Sequence, residues 1–139
     1  MEIKYDNNIT INDYKALIKS AGWKWLNDEL HQRALDNSMS ISVAKDSDKA
    51  IGIARLVGDF ATHGLLSDVV VLPEYQGKGI GSTLVKKIIE EIRENLKEEE
   101  QFLIELLPAF GKRNFYQNCG FKYKPENMDG MYLWVKKQN

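Results

Sequence analysis

The chain has 139 residues, a size suited to one domain whose core needs no staples. Its 19 Lys and Arg against 20 Asp and Glu leave a net charge of −1, which argues against nucleic acid or an anionic membrane as partner. Cys119 is the single cysteine, so an internal disulfide and a thiolate metal cluster are excluded and a reducing cytoplasm is the expected setting.

The first eight residues, M-E-I-K-Y-D-N-N, lack the basic-then-apolar order of a secretory signal. No apolar stretch approaches the roughly 18 residues of a membrane span, so a soluble protein is expected. Tyr14, Leu17, Ile18 and Ala21 share one helix face, with Asn12 or Asp13 as cap and Gly22 as stop. A second helix is expected over residues 27–36, with Asn27 as cap and Leu30, Ala34 and Leu35 as its apolar stripe. The period then changes to two. Met39, Ile41 and Val43 alternate with Ser40, Ser42 and Ala44, and D-S-D-K turns the chain into I-G-I-A-R-L-V, an antiparallel hairpin.

Residues 65–72 are apolar on both faces apart from Ser67 and Asp68, the pattern of a central strand. Ile80, Leu84, Val85, Ile88, Ile89, Ile92 and Leu96 recur at three- and four-residue steps and form the strongest helical signal in the chain. A buried strand over 102–107, a short helix over 112–118 and two closing strands ending in Tyr132, Trp134 and Val135 complete a single domain over residues 1–139. The element order is β-α-α-β-β-β-α-β-α-β-β, an α/β (α+β) class. His31 and His63 stand in no metal-ligand spacing, and no metal is expected.

Between the central strand and the long helix the chain reads V-V-V-L-P-E-Y-Q-G-K-G-I-G. Gly77, Gly79 and Gly81 let the main chain approach a bulky anion where a helix dipole begins. A P-loop needs Ser or Thr after its lysine, whereas Lys78 is followed by Gly79. A dinucleotide fingerprint needs G-x-G-x-x-G within repeated β-α-β units, and neither is present. Read alone, the turn either holds a phosphate or only brings strand and helix close together.

The segment does match Q-x-x-G-x-G after V-x-P, with Gln76, Gly79 and Gly81 in the defining places. In this it resembles the GNAT superfamily of N-acetyltransferases, and F-Y-Q-N-C-G-F at residues 115–121 is similar to that family's F-Y-x-x-x-G-F segment. The resemblance covers residues 9–135. It implies a mixed sheet of six to seven strands with helices on both faces, the central strands splayed to admit coenzyme A. It further implies acetyl-CoA as donor, the pyrophosphate held by the backbone of Gln76, Gly77, Lys78, Gly79, Ile80, Gly81 and Ser82, and the pantetheine arm paired along Val69 and Val71. Tyr116 falls on the tyrosine that protonates the departing thiolate in many members. One departure is Ala109, where many relatives carry an asparagine that contacts the coenzyme.

Acetyl transfer also needs a deprotonated amine. Asp68 is the candidate base, because it interrupts an apolar strand just before the glycine turn; the competing reading pairs it with Arg55. Cys119 has no histidine near it in sequence and reads as a small buried residue. The acceptor, a small-molecule or peptide amine, is expected against the first two helices and the loop over residues 58–64. Of Trp23 and Trp25, two apart, one is expected to face the pocket while the other packs. A monomer or homodimer is expected, and the rival reading is a non-catalytic acyl-CoA sensor.

Overall fold

Each change of hydrophobic period becomes a change of element. In the computed structural model, which describes residues 2–123 and 130–138, the order is β1 (Ile3–Asp6), α1 (Ile11–Ser20), α2 (Asp28–Asp36), β2 (Ser40–Asp46), β3 (Lys49–Gly58) and β4 (His63–Val71). A 3-10 turn (Pro73–Tyr75) leads to α3 (Ile80–Asn95), β5 (Gln101–Leu106), α4 (Arg113–Asn118), β6 (Lys122–Tyr123) and β7 (Met131–Lys136). This is the expected order. The stretch 124–129 within the expected closing strands lies outside the described residues.

The cap of α1 is Thr10, whose hydroxyl accepts from the Asp13 N–H at 3.2 Å, rather than Asn12 or Asp13. A capping oxygen must stand about three residues before the N–H it accepts from, and Asp13 instead takes the Ala50 N–H at 3.1 Å. Asn27 caps α2 as expected, through a 2.8 Å bond from Leu30 N. Gly22 follows α1 at φ +77°.

The seven strands lie in the order β1-β2-β3-β4-β5-β7-β6. All pairs are antiparallel except β4 with β5, which α3 connects as a crossover helix. Ser40 pairs with Leu56 and Ile41 with Arg55, so adjacent residues present opposite faces. The Arg55 face meets α1, where Tyr14 bonds Asp68 of β4. The Ser40 face meets α3, where Ser40 donates to Glu91 at 2.5 Å. Both faces of β2 are therefore covered, and Ser40 and Ser42 are buried beneath the helix.

Ile80, Leu84, Val85, Ile88, Ile89 and Ile92 form the buried stripe of α3, and Leu96 closes it one residue beyond the helix. Each such side chain contributes up to about 1.5–3 kcal/mol by leaving water. This packing holds the start of α3 against the end of β4.

Two irregularities open the sheet. Arg55 pairs with Asp68 but Leu56 with Leu66, so Ser67 is an extra residue in β4. Just there β4 leaves its other neighbour, since its pairing with β5 is confined to His63, Gly64 and Leu65. A bulge bends its strand and adds local twist. Residues 66–71 are consequently paired with a strand on the β3 side alone, leaving an edge toward β5 that no strand covers.

Candidate active site

The turn after β4 is shaped by a few specific bonds. Pro73 opens the 3-10 turn, and the Tyr75 hydroxyl anchors it to Asp46 Oδ2 at 2.6 Å. The Gln76 side chain folds back and donates to the Val71 carbonyl at 2.9 Å. Gly77 and Gly79 have φ of +78° and +80°, with open space where a side chain would stand. Left-handed backbone, not crowding, calls for glycine there. At Gly81 a Cβ would lie 3.3 Å from the Phe115 ring, so that glycine permits the close approach of α3 and α4.

Helix α3 thus starts without a capping side chain and with no acidic residue in its first turn. The N–H groups of Ile80, Gly81 and Ser82 have no partner within the helix. Together with the helix dipole they make an anion site.

These groups open onto a cleft of about 720 Å³. The free edge of β4 forms one wall; Phe115 and Tyr116 of α4 form another, with Lys112 just ahead of them. Of the sequence-predicted residues, Val69, Val71, Gln76, Gly77, Gly79, Ile80, Gly81, Ser82 and Tyr116 line this cleft, whereas Lys78 and Asp68 do not. Sequence reasoning assigned nothing to Lys112, whose only signal was a basic residue ahead of the F-Y pair. Ala109, at the place of the missing asparagine, also lines the wall.

Tyr116 is half-buried, and burial pushes its phenol up to about 12, with Cys119 close by adding to the shift. Its ring meets Phe115 and Phe121 edge-on, at centroid distances of 4.9 and 6.0 Å. Cys119 is buried, and its thiol is raised by that burial although Ser82 and Lys86 oppose the shift. A neutral, inaccessible thiol is a poor nucleophile.

Asp68 is held elsewhere. It is 8% exposed, and its Oδ2 accepts from the Tyr14 hydroxyl at 2.5 Å and from Arg55 Nε at 2.6 Å. Burial and the Asp68 carboxylate both push the Tyr14 phenol upward. Burial opposes the Arg55 charge, but Asp68 outweighs it and the guanidinium is held more firmly protonated. The three groups satisfy one another between α1, β3 and β4. Removing one partner of such a pair strands the other charge, so Arg55→Met is expected to cost about 3–5 kcal/mol in urea unfolding. A loss below about 1 kcal/mol shows that the pair does not hold α1 to the sheet.

Trp23 and Trp25 part company as anticipated. Trp23 is 40% exposed and lines the cleft with Ser20 and Ala21. Trp25 stacks on His31 at 3.8 Å between ring centroids and donates to Asp28 at 3.0 Å. The loop over 58–64, expected to flank the acceptor, contributes no lining residue among those described. Asp59 is engaged within that loop, accepting from the N–H groups of Ala61, Thr62 and His63, which together hold its carboxyl well below the usual range. His63 reaches Glu105 at 2.6 Å.

A sheet split beside an uncapped, glycine-led helix has the shape and the hydrogen-bonding groups to suit an extended, anion-bearing ligand. The chain belongs to the acetyltransferase (GNAT) domain family, which it matches over residues 37–123. Members of that family use acetyl-CoA as the acetyl donor. An Arabidopsis thaliana relative, GCN5-related N-acetyltransferase 2, chloroplastic, is 31% identical over 92% of this chain and 56% of its own length. The chain thus spans little more than half of that relative. A Staphylococcus aureus protein of unknown function, described as a probable acetyltransferase, is 28% identical with a TM-score of 0.81, covering 95% of this chain and 98% of that one. The PaiA N-acetyltransferase of Thermoplasma acidophilum, solved in complex with coenzyme A, shares the fold at 18% identity, with a TM-score of 0.73 over 98% of this chain and 99% of its own. Among the described residues no helix is long and apolar enough to cross a membrane.

Proposed function

We propose that this chain moves an acetyl group from acetyl-CoA to a primary amine of a small molecule or peptide by direct transfer. The observation that carries this reading is the continuity of the free β4 edge, residues 66–71, with the uncapped start of α3 and the Tyr116 phenol around one cleft. The fit is chemical as well as spatial. Pyrophosphate suits the N–H groups at Gly77, Gly79, Ile80, Gly81 and Ser82, and Lys112 supplies a cation on the same wall. An amide-rich pantetheine arm suits an unpaired strand edge.

In the transfer the amine nitrogen bonds to the acetyl carbon, the carbon–sulfur bond breaks, and the sulfur leaves as a thiolate that takes a proton from Tyr116, while the proton shed by the new amide nitrogen passes through solvent and restores the Tyr116 phenol. A main-chain N–H of the β4 edge at Val69 or Val71 polarises the carbonyl. Lys78, at the tip of the turn, adds charge near the phosphates from outside the cleft wall. We assign Asp68 to fixing α1 on the sheet rather than to proton abstraction, because Arg55 and Tyr14 both claim its Oδ2.

That assignment has a kinetic signature. No carboxylate lines the cleft among the described residues, so the amine gives up its proton to solvent before attack. An alkyl amine of pKa about 10.4 is then active only as its free-base fraction. The expected result is a kcat/KM that rises about tenfold per pH unit and whose inflection moves with the pKa of the acceptor. One inflection near pH 7 shared by every acceptor restores a protein base, with Asp68 the first to test. Trp23, Ser20 and Ala21 offer the acceptor a largely apolar surface. A screen of amines for coenzyme release tests the whole reading, and binding of acetyl-CoA without turnover across a broad panel overturns it in favour of a sensor. The cytoplasm or another reducing compartment suits the one buried, free thiol.

A further inference from the structure

The side of the sheet that α1 faces is covered only in part. Helix α1 packs on β3 and β4, and α3 lies across the opposite side, to which the buried Phe102, Ile104 and Leu106 of β5 belong. Alternation turns Leu103 and Glu105 the other way. The strand register then sets out two rows on that other side. One runs from Val57 through Leu65 and Glu105 to Tyr132, and the next from His63 through Leu103 to Trp134. The 2.6 Å contact of His63 with Glu105 joins the rows and shows that both point the same way.

This side is apolar and open to water. Val57, Leu65 and Trp134 are 42%, 45% and 48% exposed, and Leu103 and Tyr132 between them are half-buried. Phe60, 69% exposed, stands at the tip of the adjoining β3–β4 hairpin at φ +64°, a strained backbone for a bulky residue. Together these side chains leave on the order of 500 Å² of apolar surface in water, which is large for a monomer. A standard interface takes about 800 Å² from each partner, a little over half of it apolar. The face therefore supplies the apolar share of one such interface.

Its charges point to the occupant. His63 and Glu105 bond each other, so covering them strands neither. At the two edges the signs are opposed. Asp59 extends the second row beyond His63, whose carbonyl accepts its N–H, and three loop N–H groups keep its carboxyl ionised. On the far edge stand Lys136, one alternation beyond Trp134, and Lys122, opposite Tyr132. A face that is negative along one edge and positive along the other complements itself when turned over.

We propose that two copies of this chain associate through this face, sheet against sheet, about a two-fold axis that runs along the strands. Turning one copy over lays its β7 edge on the β3 edge of the other. Trp134 of each copy then lands on the β3–β4 hairpin of the other, and Lys136 comes near Asp59 twice. Packed sheets stand about 10 Å apart with strands within about 30° of alignment, which two such flat rows allow. An anionic lipid surface fits less well, because Asp59 and Glu105 would be pressed against it.

Sedimentation velocity of the full chain between about 1 and 100 μM is the test. A species of twice the 16.0 kDa chain mass is expected at the upper end. Trp134→Glu and Leu65→Lys, made singly, are each expected to raise its dissociation constant at least about thirtyfold, as central interface positions do. Lys136→Glu sets like charges together and is expected to raise it about three- to tenfold, less at high salt. Leu26→Ser, at a residue 59% exposed on the α1–α2 connection, is expected to leave it unchanged. All four changes are at exposed side chains, and melting curves check that folding is intact. A chain that stays monomeric throughout overturns the proposal, and co-flotation of that monomer with lipid vesicles would give the face to a membrane instead. A dimer indifferent to both Trp134→Glu and Leu65→Lys overturns it as well, since the copies then meet elsewhere. Loss with those two but none with Lys136→Glu overturns the two-fold arrangement.

Discussion

Tyr116→Phe is expected to lower kcat by about 10²- to 10⁴-fold, the usual worth of a positioned proton donor, while KM for acetyl-CoA stays within about twofold. The ring contacts with Phe115 and Phe121 survive the change. Folding should therefore be spared. Burial pushes this phenol to about 12, which makes it a weaker acid than usual. The same surroundings raise thiol basicity, as the neighbouring Cys119 shows, so the thiolate leaving beside it is also a stronger base than in water. Because the folded value lies above the ordinary phenol value of about 10, the associated stability is complete below pH 10 and is lost as pH rises toward 12. No loss of kcat from Tyr116 ionisation is expected between pH 6 and 10. Steady-state kinetics over that range provide the check, and an unchanged kcat in the variant removes the acid role.

Gly79→Asp is expected to weaken acetyl-CoA binding by about 30- to 1000-fold. A carboxylate about 4–6 Å from a phosphate, at the effective dielectric of a protein surface, costs roughly 2–4 kcal/mol. The turn has room for the side chain, since nothing lies within 4 Å of a Cβ there. The remaining cost is backbone strain at φ +80°. Gly79→Ala carries that strain without the charge and separates the two effects. Titration calorimetry of both variants should show a large loss for Asp and a small one for Ala; equal losses mean that turn geometry, not anion binding, is what glycine protects. A native chain that fails to bind acetyl-CoA ends the enzyme and sensor readings together.

Much of the fold was legible because its signals are local. The three- and four-residue steps from Ile80 to Ile92 report which side of one helix is dry, and every one of those residues is buried. The change to alternation at Met39 marked the hairpin for the same reason. The glycine turn could be recognised as an anion cradle because its requirement, left-handed backbone before a helix, is written in the residues themselves. Gln76 was legible as part of a pattern but not for what it does here, which is to tie the turn to Val71. Lys112 was invisible as a cleft residue, since its place depends on where α4 lands.

Asp68 shows the limit most clearly. A lone carboxylate in an apolar strand announces a buried charge, and sequence alone left a base and an ion pair both open. Its partners lie 13 and 54 residues away, at Arg55 and Tyr14. Only the packing of α1 on β3 and β4 brings those groups together.

From sequence alone came the element order, the buried face of α3, the glycine turn and the family resemblance, all consequences of short-range periodicity and backbone preference. Tertiary structure alone decided the bulge at Ser67, the parting of β4 from β5, the pairing of Asp68 with Arg55 and Tyr14, and, among the described residues, the unpartnered hydroxyl of Ser42. Those features arise from pairing between distant segments, where the twist of one strand and the shape of its neighbours decide which backbone groups stay free. The free edge of β4, to which we assign the donor, is such a feature, because it exists only where two strands meet and then diverge.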